Sequence, residues 1–140
     1  MNVEAPIDPE YRPSDAEDFM SDRQKRYFRD KLLAWRQSIL DESRGTLEDL
    51  ASSTQNIPDV ADRASAETDR ALELRTRDRQ RKLISKIDAA IRRIEDGSYG
   101  YCEITGEPIS LRRLDARPIA TLSLEAQEMH ERREKVHRDA

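Results

Sequence analysis

The sequence predicts a mostly α-helical protein: a long antiparallel helical hairpin of coiled-coil type, then a small globular lobe with a degenerate zinc-finger-like loop and hairpin and a C-terminal helix. Three observations lead there. Two stretches of roughly thirty residues lack proline and carry apolar residues at helical spacing. Charged residues are 39% of the chain against 36% hydrophobic and 5% aromatic, more solvated surface than a compact globule needs, which suits a long, thin shape. Positions 102, 105, 123 and 126 keep the spacing of a two-knuckle zinc site but hold Cys102, Thr105, Ser123 and Ala126.

Residues 1–20 carry Pro6, Pro9 and Pro13 and six acids against the single base Arg12, a composition that resists packing unless a neighbour holds it down. The expectation is an acidic, extended arm anchored by Phe19 and Met20. Ser21 is a good N-cap and opens helix one, with only Gly45 as a weak point. Phe28, Leu32, Trp35 and Ile39 recur at steps of four, three and four. Leu33, Leu40 and Leu47 recur at seven, the spacing of a coiled-coil seam. "SSTQNIPDVADRAS" stops the helix near Ser52 or Ser53, because Pro58 and small polar residues break the pattern.

From about Ala64 to Glu95 there is neither glycine nor proline, and Leu72, Leu83, Ile87, Ala90 and Ile94, flanked by Ile84 and Ile91, mark helix two. Two helices of similar length with a short connection fold back on each other, since each stripe then buries against the other. At 1.5 Å per residue each arm would extend roughly 45 to 50 Å. The expected division is residues 1–20 as arm, 21–96 as hairpin with its tip at about 53–63, and 97–140 as lobe with C-terminal helix.

In the lobe, "DGSYGYCEITGEPIS" reads as a tight loop leading into a short hairpin turned at Thr105 to Pro108. Ser123 can cap the last helix, with Glu125 early and Arg132, Arg133 and Lys135 late, as the helix dipole prefers. Zinc needs deprotonated soft donors, which threonine, serine and alanine do not supply at neutral pH, so no bound metal is expected. His130 and His137 lie seven residues apart with one thiolate available to join them, a poor replacement set. Cys102 reads as a small buried residue without a resolving partner. Tyr99, Tyr101, Ile104, Ile109, Leu111, Leu114, Ile119, Leu122, Leu124 and Met129 are the apolar candidates for holding the lobe in place of an ion, and burial of a few of them, at about 1.5 to 3 kcal/mol each, would suffice.

The 25 bases and 29 acids are mixed along the chain, for a net charge of −4, which suits ion-paired helices and argues against direct sequence-specific DNA binding. No signal peptide or apolar run of membrane-spanning length is present, so a cytoplasmic monomer without membrane contact is expected. One cysteine excludes an intramolecular disulfide.

The helical hairpin, the loop "PDVADRA" and the segment "YGYCEITGEPISLRRLDARPIATL" together resemble the DksA family of bacterial transcription factors, over about residues 21 to 138. The missing thiols resemble its reduced-cysteine, zinc-independent type. The resemblance implies a protein that is not an enzyme. It would bind RNA polymerase in the secondary channel and modulate open-complex stability and initiation together with ppGpp, in the stringent response. It assigns Asp59, Asp62 and Ala64 to the tip that acts near the polymerase active site, and Arg75 and Arg79 to polymerase contact. Lys86, Arg117 and Gln127 fall at the ppGpp pocket. Gln127 departs from the lysine common there and gives up a charge, which Arg112 and Arg113 could offset. From the residues alone, Asp62 could equally be the N-cap of helix two. The six bases against one acid between residues 75 and 86 could equally be a solvated face. Two alternatives stand beside this reading: a Gre-like transcript cleavage or elongation factor, and a coiled-coil scaffold with no polymerase role.

Overall fold

The structure, a computed structural model, describes residues 8–53 and 60–139. Four helices follow one another: α1 (Asp22–Ser53), α2 (Val60–Asp96), α3 (Leu111–Ala116) and α4 (Leu124–Asp139). Among the described residues there is no strand, and the expected lobe hairpin reduces to one antiparallel bridge between Tyr101 and Pro108. The mostly helical class is as the sequence predicts.

Ser21 caps α1 as expected: its Oγ accepts the Gln24 N–H at 3.2 Å and its carbonyl accepts that of Lys25 at 2.9 Å. The helix then runs without interruption, because only Gly45 weakens its propensity. Helix α2 starts four residues before the expected Ala64, so Asp62 lies in its first turn and is not the cap. A carboxylate there still favours the helix through the positive end of its dipole. Gly97 ends α2 at φ 84°, letting the Ser98 N–H return to the Arg93 carbonyl at 2.9 Å. That is the Schellman arrangement, which a residue with a Cβ adopts only at a cost.

The chain forms two compact units, one of Leu33–Asp88 and one of Met1–Leu32 with Ala89–Ala140. Within the first unit, Arg36 Nε pairs with Asp88 Oδ1 at 2.8 Å and Gln80 Nε2 donates to Glu42 Oε2 at 3.4 Å. The contact advances along α1 as it retreats along α2, so the two segments are antiparallel. Ile39 and Ile87 are buried here, whereas Leu72 is 52% exposed. The seven-residue series is corrected: Leu33 and Leu47 are exposed, while the stripe of Phe28, Leu32 and Ile39 is buried. Only one of two adjacent stripes on a helix can face its partner, and the one with the aromatic wins the larger burial.

The second unit packs the N-terminal segment, the start of α1, the end of α2, α3 and α4 around Tyr99, Phe28, Ile109 and Leu114, each fully buried. The Phe28 and Tyr99 rings lie 5.6 Å apart. The arm is held here by more than Phe19: Tyr11 is buried, Arg23 stacks 3.9 Å from its ring centroid, and its hydroxyl donates to the Glu17 carboxylate. Phe19 reaches Gly100, where a Cβ would meet its ring at 3.1 Å.

Candidate functional site

In the lobe the four zinc-pattern positions are linked: Thr105 and Ser123 hydrogen-bond to the Cys102 sulfur, and Ala126 to Ser123. The chain turns at residues 103–105, with Gly106 N–H donating to the Cys102 carbonyl at 2.8 Å and Glu103 N–H to that of Thr121 at 2.9 Å. Cys102 is buried inside this turn. Burial by itself would push its thiol up. The Thr105 hydroxyl and the N–H groups of Ser123, Thr105 and Ile104 all donate to the sulfur and outweigh burial, drawing the thiol from 9.0 down to about 6. Ser123 Oγ accepts the Ala126 N–H at 3.2 Å and so caps α4. Ala126 is 3% exposed and fills the fourth position with a methyl.

This donor set does not fit zinc. One thiolate, two hydroxyls engaged in hydrogen bonds and a methyl do not make a tetrahedral soft-donor shell. Among the described residues no group of three or more His, Cys, Asp or Glu side chains is arranged to hold a metal ion. Of the apolar residues expected to hold the lobe, Tyr99, Ile109, Leu111 and Leu114 are buried. Tyr101, Ile104, Leu124 and Met129 are exposed, so a few of the candidates supply the burial. The inward positions near them are taken by Cys102, Ala120 and Ala126.

Helix α3, which sequence reasoning missed, carries the basic edge of the lobe. Ser110 caps it through Oγ to the Arg113 N–H at 3.2 Å. The signal was present in "SLRRL", a cap followed by leucines three apart. At its far end Asp115 accepts from the Tyr27 hydroxyl and, at 2.7 Å, from Lys31 Nζ, which also donates to the Asp115 carbonyl at 2.6 Å. Burial raises the Asp115 carboxyl, but Lys31 and Tyr27 outweigh it and hold it below its ordinary value. No sequence signal joins residues so far apart in the chain. Arg117 follows as the C-cap of α3, exposed to solvent. Arg113 donates from Nε to the Leu122 carbonyl at 2.9 Å, which ties its side chain to the lobe. The Gln127 amide donates to Glu131 Oε1 at 3.0 Å along α4.

Lys86 belongs to the other unit, exposed on α2. Arg75 and Arg79 are exposed one turn apart on the same helix, with Arg79 Nη2 3.5 Å from Thr76 Oγ1. Leu72 and Leu74, both about half exposed, and Lys82 line the same shallow surface, an apolar patch set among bases. Asp62 and Ala64 are exposed at the start of α2. Asp59 lies outside the described residues.

An antiparallel helical pair with an acid in the first turn of its second helix, and a lobe on zinc-knuckle spacing with one of the four thiols, define a helical-hairpin protein with a degenerate zinc-finger-like lobe. Residues 24–94 match the family model described as DnaK suppressor protein DksA, N-terminal domain. Residues 97–132 match the prokaryotic dksA/traR C4-type zinc finger. The chain belongs to the DksA family.

Among its relatives, the RNA polymerase-binding transcription factor DksA of Caulobacter vibrioides is 72% identical over 130 residues, covering 93% of this chain and 92% of the relative. The protein of the same name from Escherichia coli is 42% identical over 131 residues, covering 94% and 86%. The solved structure of transcription factor DksA2 from Pseudomonas aeruginosa superposes with a TM-score of 0.80 at 44% identity, covering 88% of this chain and 93% of that one. No helix among the described residues is long and apolar enough to cross a membrane.

Proposed function

We propose that this chain is an RNA polymerase-binding transcription factor that enters the secondary channel and modulates open-complex stability and initiation together with ppGpp. The observation that carries the reading is the exposed Asp62 carboxylate in the first turn of α2, within a chain whose relatives are named for polymerase binding. A carboxylate carried on a helix acts on the cationic, metal-bearing surroundings of an active centre through its field, without performing chemistry itself. The chain is accordingly a regulator and not an enzyme, and it works in the cytoplasm as a monomer without bound metal.

In this reading the segments divide the work. Residues 21–96 form the probe, with Asp59, Asp62 and Ala64 at its tip, and Arg75 and Arg79 hold polymerase. Residues 97–140 form the lobe, and residues 1–20 are the acidic arm. Arg117 and Lys86 meet ppGpp phosphates, since cationic donors pair with phosphate through charge-assisted hydrogen bonds. Gln127 contributes a neutral donor to the same ligand.

The test is initiation by purified polymerase at a ppGpp-responsive promoter, with and without ppGpp. Asp62→Asn is expected to abolish regulation while polymerase binding is largely retained, because Arg75 and Arg79 still hold polymerase. Arg117→Ala is expected to blunt the ppGpp-dependent part alone. Regulation unchanged in Asp62→Asn would refute the tip assignment. Cleavage of stalled transcripts by the wild-type chain would point to a cleavage factor instead.

A further inference from the structure

Arg117 stands on a backbone that is tied on every side. Its N–H donates to the Arg113 carbonyl at 2.7 Å and its own carbonyl accepts the Ala120 N–H at 3.0 Å. The next carbonyl, that of Pro118, accepts the hydroxyl of buried Tyr99 at 2.8 Å. Two residues upstream, Lys31 grips Asp115 through both side chain and carbonyl, and the Tyr27 hydroxyl adds a second donor to the same carboxylate. Tyr27 is itself lodged edge-on between the rings of Tyr11 and Phe28, at 5.9 and 5.2 Å. The Arg117 side chain, by contrast, is exposed and has no hydrogen-bond or ion-pair partner among the described residues.

We propose that Lys31, Tyr27 and Asp115 are positioning residues that fix the base of Arg117 and so present its guanidinium to the phosphates of ppGpp. The proposal rests on the reading of Arg117 given above. The physical effect is preorganisation: a donor with an immobilised backbone loses less freedom when the ligand binds. Lys31 and Tyr27 hold Asp115, two residues before Arg117, and with it the end of α3.

The experiment is a titration of ppGpp against initiation by purified polymerase, with Lys31→Met, Asp115→Asn, Lys31→Arg and Arg117→Ala. Lys31→Met and Asp115→Asn are expected to raise the ppGpp concentration for half-maximal response about three- to tenfold, the value of one preorganised side chain. The response at saturating ppGpp and the regulation seen without it should not change. Lys31→Arg should restore the wild-type titration, and combining Asp115→Asn with Arg117→Ala should add no further shift. If Asp115→Asn fails to fold, Tyr27→Phe, which removes one hydroxyl, carries the same expectation at smaller size.

Wild-type titrations for Lys31→Met and Asp115→Asn, beside a shifted Arg117→Ala, would overturn the positioning role and leave the reading of Arg117 standing. A wild-type titration for Arg117→Ala would remove both. Equal loss of regulation with and without ppGpp would show a merely structural role and overturn the proposal.

Discussion

The Thr105 hydroxyl donates to the Cys102 sulfur, so the residue at the second zinc-pattern position now bonds the thiol at the first. The backbone N–H groups of Ile104, Thr105 and Ser123 point at the same sulfur. A turn built to surround a metal-bound thiolate therefore stabilises the thiolate by hydrogen bonds, and several consequences can be measured.

The Cys102 thiol is expected to titrate near its lowered value of about 6, in place of 9.0. Its folded pKa lies below the unfolded one, so its contribution to stability is complete above 9.0 and lost as pH falls through about 6. Thiolate absorbance against pH gives the titration. Denaturant melts across that window should show stability rising with pH, a slope that Cys102→Ala removes and Thr105→Val reduces.

Restoring Thr105→Cys, Ser123→Cys and Ala126→Cys together should create a metal centre, since the turn and the start of α4 already bring these positions around Cys102. About one zinc per chain is expected by metal analysis, resistant to dialysis and removed by a strong chelator. The wild-type chain should retain none. Zinc held tightly by the wild type would contradict the donor-set argument.

Leu114, fully buried, and Leu33, 39% exposed, test which apolar residues support the fold. Leu114→Ala should cost about 2 to 5 kcal/mol in denaturant unfolding, as core truncations do. Leu33→Ala should stay within about 0.5 kcal/mol, despite lying in the seven-residue series.

Asp115 sits below its ordinary carboxyl value of 3.8 because Lys31 and Tyr27 donate to it. Its stabilisation is therefore present above 3.8 and lost as pH falls through the lower folded value. The pair is partly exposed, so solvent screening should keep the effect within about 1 kcal/mol. Acid melts of wild type and Asp115→Asn should converge at low pH and separate above it.

Much of the architecture was legible in local chemistry. Ser21 and Ser123 are caps whose side chains bond the backbone three residues on, and Pro58 and Gly97 are breakers, so α1, α2 and α4 follow from short windows of sequence. Helix α3 was missed because its six residues carry less than two turns of periodicity, and only Ser110 announces it. Which of the apolar candidates in the lobe are buried was not legible: Ile104, Leu124 and Met129 face solvent because a turn and a helix start aim side chains by backbone geometry, and hydrophobicity alone does not say which way they face.

By itself the sequence determined the helices, their ends, the spacing of the finger and the absence of a thiolate shell, because each depends on residues a few positions apart and on intrinsic donor chemistry. Tertiary structure decided that Thr105 and a set of amides hold the lone sulfur. It also decided which of two apolar stripes on α1 is buried, that Arg113 reaches the Leu122 carbonyl, and that Lys31 reaches Asp115. Those contacts join residues from different elements, and their free energies arise only when packing brings distant segments within hydrogen-bond range and excludes water from some faces but not others.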